Sequence, residues 1–126
     1  MRPTTVDAVI KENKKIVLIK RGTEPFLGKW ALPGGFVDSG ETTEEACIRE
    51  AGEETGLKID ILKLIGVFSE PSRDISRGTI SIAYLCKNTG GKLVGGDDAT
   101  EAKWFSLEKL PEIAFDHKKI IEKVEK

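Results

Sequence analysis

Two β-favouring stretches, residues 4–10 and 15–20, flank the polar run Lys11, Glu12, Asn13 and Lys14, and this pattern predicts a hairpin at the start of the chain. A loop bearing glycine and proline over residues 22–29 leads into Trp30-Ala31-Leu32 and then Pro33-Gly34-Gly35. There a sharp backbone turn is expected, because glycine admits positive φ. From Thr42 the spacing becomes helical. Thr42 and Glu45 stand as a T-x-x-E capping box and Gly56 as a C-terminal stop, which predicts a helix over Thr43–Thr55. Residues 59–69 and 79–87, rich in Ile, Leu and Val, read as strands around a polar loop over 70–78. Asn88-Thr89-Gly90-Gly91 reads as a hairpin turn into Lys92-Leu93-Val94. A further strand is expected over 102–105 and a closing helix over 116–124. Strands before, between and after two helices predict an α/β domain whose mixed sheet is covered on both faces.

The 126 residues suit one domain, and 39% hydrophobic with 33% charged residues describes a soluble globular chain. No apolar run approaches the roughly 18 residues that span a bilayer, so no membrane partner is expected. The N-terminus does not read as a secretory leader. A net charge of −1 gives no broad cationic field for coating nucleic acid. Cys47 and Cys86 form no C-x-x-C pair and read as reduced thiols of a cytoplasmic protein.

The near-neutral total conceals a segment. Residues 38–54 hold seven acids and one base, Arg49, for a local −6, while the other 109 residues carry +5. With Glu50 at zero on a helical wheel, Glu53 falls at about −60° and Glu54 at about +40°, so three carboxylates share one face. The sheet-facing side is expected opposite, along Ile48, Ala51, Gly52 and Thr55, with Gly52 allowing close approach. Like charges at i,i+3 and i,i+4 cost the helix a few tenths of a kcal/mol each. The wheel leaves two readings open: a solvated acidic helix, or a cluster whose missing positive charge is a bound divalent cation. Carboxylates without Cys or His favour Mg²⁺ or Mn²⁺ over Zn²⁺.

Gly35, Glu41 and the run Arg49-Glu50-Ala51-Gly52-Glu53-Glu54-Thr55-Gly56-Leu57 match the pattern G-x5-E-x7-R-E-U-x-E-E-x-G-U, where U is aliphatic. This 23-residue stretch resembles the Nudix box, and Ala51 is the smallest residue its aliphatic position accepts. The resemblance extends over nearly the whole chain. It implies a single Nudix domain over residues 1–126, an α/β/α sandwich with a mixed central sheet, and metal-dependent hydrolysis of nucleoside diphosphates linked to another moiety. Carried over by position, Glu50, Glu53 and Glu54 would bind metal and form the base, with the Gly34 carbonyl as a further ligand. Arg49 and Glu41 would orient that cluster. Mg²⁺ would be the cofactor, with Mn²⁺ able to substitute. An acid outside the box often contributes, and Asp98, followed by Glu101, is favoured here, the alternative being a loop acid in solvent.

The sequence Ser69-Glu70-Pro71-Ser72-Arg73-Asp74, with Pro71 fifteen residues beyond Gly56, resembles the ADP-ribose pyrophosphatase subgroup. The resemblance implies hydrolysis of ADP-ribose to AMP and ribose 5-phosphate, with Arg21, Pro71 and Arg73 at the substrate. Phe26, Trp30 and Phe68 read as packing residues or as stacking partners for adenine, and His117 as a surface or capping residue. Two other readings stand beside this one: a MutT-like nucleoside triphosphate pyrophosphohydrolase, and a nucleotide-binding module without turnover. The family resemblance also implies a homodimer.

Overall fold

The computed structural model describes residues 1–96 and 99–124. Strands β1 (Thr4–Glu12) and β2 (Lys15–Arg21) form the expected hairpin, closed by Asn13 in the left-handed region, where asparagine is tolerated better than most residues. Two short strands follow, β3 (Trp30–Ala31) and β4 (Gly34–Phe36), then helix α1 (Thr43–Thr55). Strands β5 (Leu57–Phe68), β6 (Ile80–Gly91) and β7 (Ala99–Ser106) precede helix α2 (His117–Glu122).

The order β3-β2-β1-β6-β5 forms one path of a seven-stranded mixed sheet, with β4 paired to β1 and β7 to β2. The β1–β6 pair is parallel and the other strand pairs are antiparallel. Period-two alternation sorts β1 between two cores. Val6, Ala8 and Ile10 pack with Cys47 and Ala51 of α1, whereas Val9, with Ile16 and Leu18, packs with Ile120 and Ile121 of α2. The fold class is therefore the predicted one.

α1 begins and ends as the sequence dictates. Thr42 Oγ1 accepts from Glu45 N at 3.0 Å, the Glu45 carboxylate accepts from Thr42 N at 2.9 Å, and Gly56 caps the end at φ 77°.

Five local expectations are corrected. Gly34 and Gly35 do not make a positive-φ turn; they are strand residues of β4, required by space rather than by backbone angle. The segment 88–91 is no hairpin turn, since β6 continues through it paired to β5. Residues 92–94 form no strand because their amides serve α1: Val94 N donates to Thr55 O at 2.8 Å and Lys92 N to Gly56 O at 3.3 Å. The buried arc of α1 comprises Ala46, Cys47, Ala51, Glu54 and Thr55, while Ile48 is 46% exposed. A Cβ on Gly52 would meet only Leu57 O at 3.7 Å, so no close approach requires that glycine. The inward face therefore includes Glu54 instead of lying opposite the carboxylates.

Behind the helix the Cys47 and Cys86 sulfurs lie 3.9 Å apart, both buried. Their mutual hydrogen bond, aided by burial, raises the Cys47 thiol well above its usual range.

Candidate active site

β4 and α1 meet at one wall of a cleft of about 740 Å³. Glu50, Glu53 and Glu54 line it together with Gly34 and Gly35. Glu54 is 7% exposed and accepts from Gly34 N at 2.8 Å. Glu50 lies so close to Gly35 that any Cβ there would collide with its carboxylate. Glu53 is the most open of the three, its side chain 42% exposed.

Arg49 organises this wall. Its Nε and Nη2 grip the two Glu41 oxygens at 2.7 and 2.9 Å, and Nη2 also donates to Phe36 O at 3.0 Å. Nη1 reaches Glu53 at 3.1 Å and Glu50 at 3.3 Å, and Asp38 lies 3.5 Å from Nη2. The Arg49 hydrogen bond holds Glu41 down at about 2, and the same bond raises the arginine further. Glu50 moves the other way, pushed up to about 7 by burial and by the Glu53 charge against the opposing pull of Arg49. Arg49 thus touches Glu41, Glu50 and Glu53 at once.

The donor set fits a hard divalent ion: carboxylate oxygens, an excess of negative charge over one arginine, and a carboxyl whose ionisation is disfavoured until a cation arrives. Among the described residues no three acidic, His or Cys side chains already form a closed cage, because Arg49 holds two of these carboxylates and Gly34 N–H the third.

The proton at Glu50 has a consequence for stability. A carboxyl raised in the fold favours the native state fully below its usual 4.5, and that contribution is lost as pH rises through about 7. His117, lowered by burial, works oppositely below 6.5, and Glu41 acts only between 4.5 and about 2. Metal-free wild type is therefore expected to gain about 1–2 kcal/mol over Glu50→Gln between pH 8 and pH 5, once solvent screening is allowed for. Urea unfolding of the two proteins in chelator measures this difference, and parallel pH curves would refute it.

Other predicted residues separate. Asp98 lies outside the described residues. Glu101 sits in β7 near Lys20 and Lys103, at 3.9 and 3.4 Å, and does not line the cleft, because strand register holds it against β2. Pro71 is exposed and opens a single 3₁₀ turn, away from the cleft. Arg73 lines the cleft, but its guanidinium is turned inward. It is bound to Asp116 at 2.9 Å through Nε and at 2.9 Å through Nη2, and Nη1 donates to Thr79 O and Oγ1 at 3.1 and 2.9 Å. Arg21 reaches the cleft with its Nε donating to Pro25 O at 2.6 Å and its guanidinium 5.1 Å from the Phe115 ring centre. Trp30 and Phe68 pack in the α2-side core, whereas Phe26 meets Phe115 edge-on at 4.7 Å.

His117 is neither a surface nor a capping residue. It is buried in the cleft floor, with Nδ1 accepting from Leu32 N at 3.0 Å and Nε2 facing Asp7 Oδ1 at 3.4 Å. The proton therefore resides on Nε2, and burial lowers the imidazole below its usual value. Asp7 is itself buried and accepts from Ser81 Oγ. Leu32 and Gly34, two residues apart, are thus held by His117 and by Glu54. Two signals for this pair were present in the sequence: His117 stands at i−3 and i−4 from the buried Ile120 and Ile121, and Asp7 is the one acid in the β-favouring stretch 4–10.

One capped acidic helix packs against a mixed sheet with its carboxylates gathered at a cleft, a donor arrangement suited to a divalent ion. The NUDIX domain model matches residues 1–124, and the chain belongs to the Nudix hydrolase family. It is 53% identical over 116 residues to an ADP-ribose pyrophosphatase of Methanocaldococcus jannaschii, covering 92% of this chain and 69% of that protein. A bifunctional NMN adenylyltransferase/ADP ribose pyrophosphatase from Francisella tularensis, crystallised with AMP and a Mn ion, aligns at TM-score 0.85 and 32% identity, over 97% of this chain and 40% of that one. The NUDIX domain of Shewanella oneidensis NrtR, complexed with ADP ribose, aligns at TM-score 0.85 and 28% identity, over 98% and 86%. Among the described residues no helix is long and apolar enough to cross a membrane.

Proposed function

We propose that the chain hydrolyses the pyrophosphate bond of ADP-ribose, adding water across it to release AMP and ribose 5-phosphate, with Mg²⁺ as cofactor and Mn²⁺ as a substitute. The observation that carries this reading is the convergence of Glu50, Glu53 and Glu54 on one cleft wall, in a chain 53% identical to an ADP-ribose pyrophosphatase. The three carboxylates and the Gly34 carbonyl would hold the ion, which when bound polarises the pyrophosphate and lowers the pKa of a water. Arg49 and Glu41 keep Glu50 and Glu53 turned toward the cleft. Glu53, open to solvent with one oxygen on Arg49, accepts the proton of the attacking water at its other oxygen. Asp98 is the alternative base that the family resemblance offers, and comparing Glu53→Gln with Asp98→Asn separates the two.

The test is a panel of ADP-ribose, diadenosine polyphosphates and oxidised deoxynucleoside triphosphates, with Mg²⁺ or Mn²⁺ and product identification. ADP-ribose is expected to be turned over with the highest kcat/KM. Preferred release of pyrophosphate from a triphosphate would overturn the reading, as would nucleotide binding without turnover.

A further inference from the structure

Four arginines surround or line the cleft, and three are committed within the protein. Arg49 is bound by acids, Arg73 by Asp116 and Thr79, and Arg21 by the Pro25 carbonyl and the Phe115 ring. The fourth, Arg77, has no carboxylate partner among the described residues. It is exposed, it lines the same cleft as Glu50, Glu53 and Glu54, and its guanidinium lies 5.0 Å from the centre of the Phe36 ring. Phe36 directly follows Gly35, so the stacked cation stands beside the carboxylate wall without being neutralised by it.

The loop that carries Arg77 is built to hold it. The buried Asp74 accepts at Oδ1 from Ser76 N, Ser76 Oγ and Arg77 N, at 3.2, 2.8 and 3.4 Å, and at Oδ2 from Thr79 Oγ1 at 2.8 Å. Gly78, at φ +66°, turns the chain back and donates to Asp74 O at 2.8 Å. Arg2 closes the loop at its base, donating to Gly78 O at 2.8 Å and to Ser69 O at 2.6 Å. A planar guanidinium held on an aromatic face, with no side-chain hydrogen bond to the described residues and its backbone fixed in advance, suits a two-point contact to phosphate oxygens. The loop backbone is thereby ordered before binding, which lowers the entropy cost of the contact.

The geometry points to Arg77 as a substrate-binding residue that grips the pyrophosphate of the bound nucleotide through its fork, with Phe36 holding the guanidinium plane. This rests on the reading of the cleft as an ADP-ribose pyrophosphatase site. Arg77 takes the part that sequence reasoning gave to Arg73.

The experiment compares wild type with Arg77→Ala, Arg77→Lys and Phe36→Leu. It measures KM and kcat for ADP-ribose, inhibition by inorganic pyrophosphate, and Mn²⁺ affinity by electron paramagnetic resonance. Arg77→Ala is expected to raise KM and the pyrophosphate inhibition constant at least about 10-fold, with kcat and Mn²⁺ affinity within about 3-fold, the loss of one charge-assisted bidentate contact. Arg77→Lys should recover part of that loss and Phe36→Leu should cost only a few-fold. The assignment is overturned if KM stays within 3-fold, if the pyrophosphate constant does not move, or if Mn²⁺ affinity falls in parallel. Should wild type prefer another nucleoside pyrophosphate, the ADP-ribose reading fails, and the pyrophosphate competition, run on that substrate, still decides the role of Arg77.

Discussion

Glu54→Gln is expected to reduce ADP-ribose turnover at least about 100-fold while leaving the protein folded. The change is nearly isosteric. The amide oxygen of Gln can still accept from Gly34 N–H, the contact that Glu54 Oε1 makes at 2.8 Å, so β4 and α1 stay joined. What disappears is one negative charge from a wall whose other carboxylates are already shared with Arg49. Activity is measured by product release, folding by circular dichroism, and cation binding by a Mn²⁺ titration, which should show weakened affinity. Full activity in this variant would mean that the carboxylate cluster does not carry the reaction.

The adjacent glycines of β4 should fail in different ways when each is replaced by alanine. At Gly34 the added Cβ would run into the Val6 carbonyl, a backbone atom of β1 that cannot move without separating the strands. Gly34→Ala is therefore expected to destabilise the fold by about 3 kcal/mol or more, in the range of severe overpacking. At Gly35 the Cβ would run into the end of the Glu50 side chain, which can swing aside. Gly35→Ala should keep most of the stability and lose Mn²⁺ affinity about 10–100-fold, because Glu50 is turned out of place. Urea denaturation and metal titration on both variants provide the check. Equal stability losses at the two positions would show that the wall is one rigid unit rather than a strand with a movable carboxylate.

The local part of this architecture was written in the sequence. A capping box, a C-terminal glycine and a run of acids depend on neighbours within a few residues, so α1 and the grouping of Glu50, Glu53 and Glu54 could be read directly. Strand content was legible for the same reason. What could not be read depended on contacts far apart in the chain. The inward face of α1 is not legible locally, because a wheel shows which residues lie together but not which side meets the sheet. Only the packing against β1, β4 and β5 turns Glu54 inward. Gly34 and Gly35 looked like turn residues because glycine usually signals backbone angle. Here their missing side chains matter instead, since the space is filled by Val6 and Glu50. Arg73 and Arg77 lie four residues apart in one polar loop, and nothing local distinguishes them. Asp116, 43 residues away, is what turns Arg73 inward and leaves Arg77 at the cleft.

The contact between His117 and Leu32 spans 85 residues, so its two partners are synthesised at different times. A nascent chain that has emerged only as far as α1 already contains every carboxylate of the cluster. The imidazole that pins the strand beside them is still unmade. Until residue 117 has left the ribosome, the amide of Leu32 has no acceptor and Asp7 has no neighbour on α2. The residues of the wall that gathers charge are thus synthesised before the imidazole of the floor, which lies 85 residues beyond Leu32.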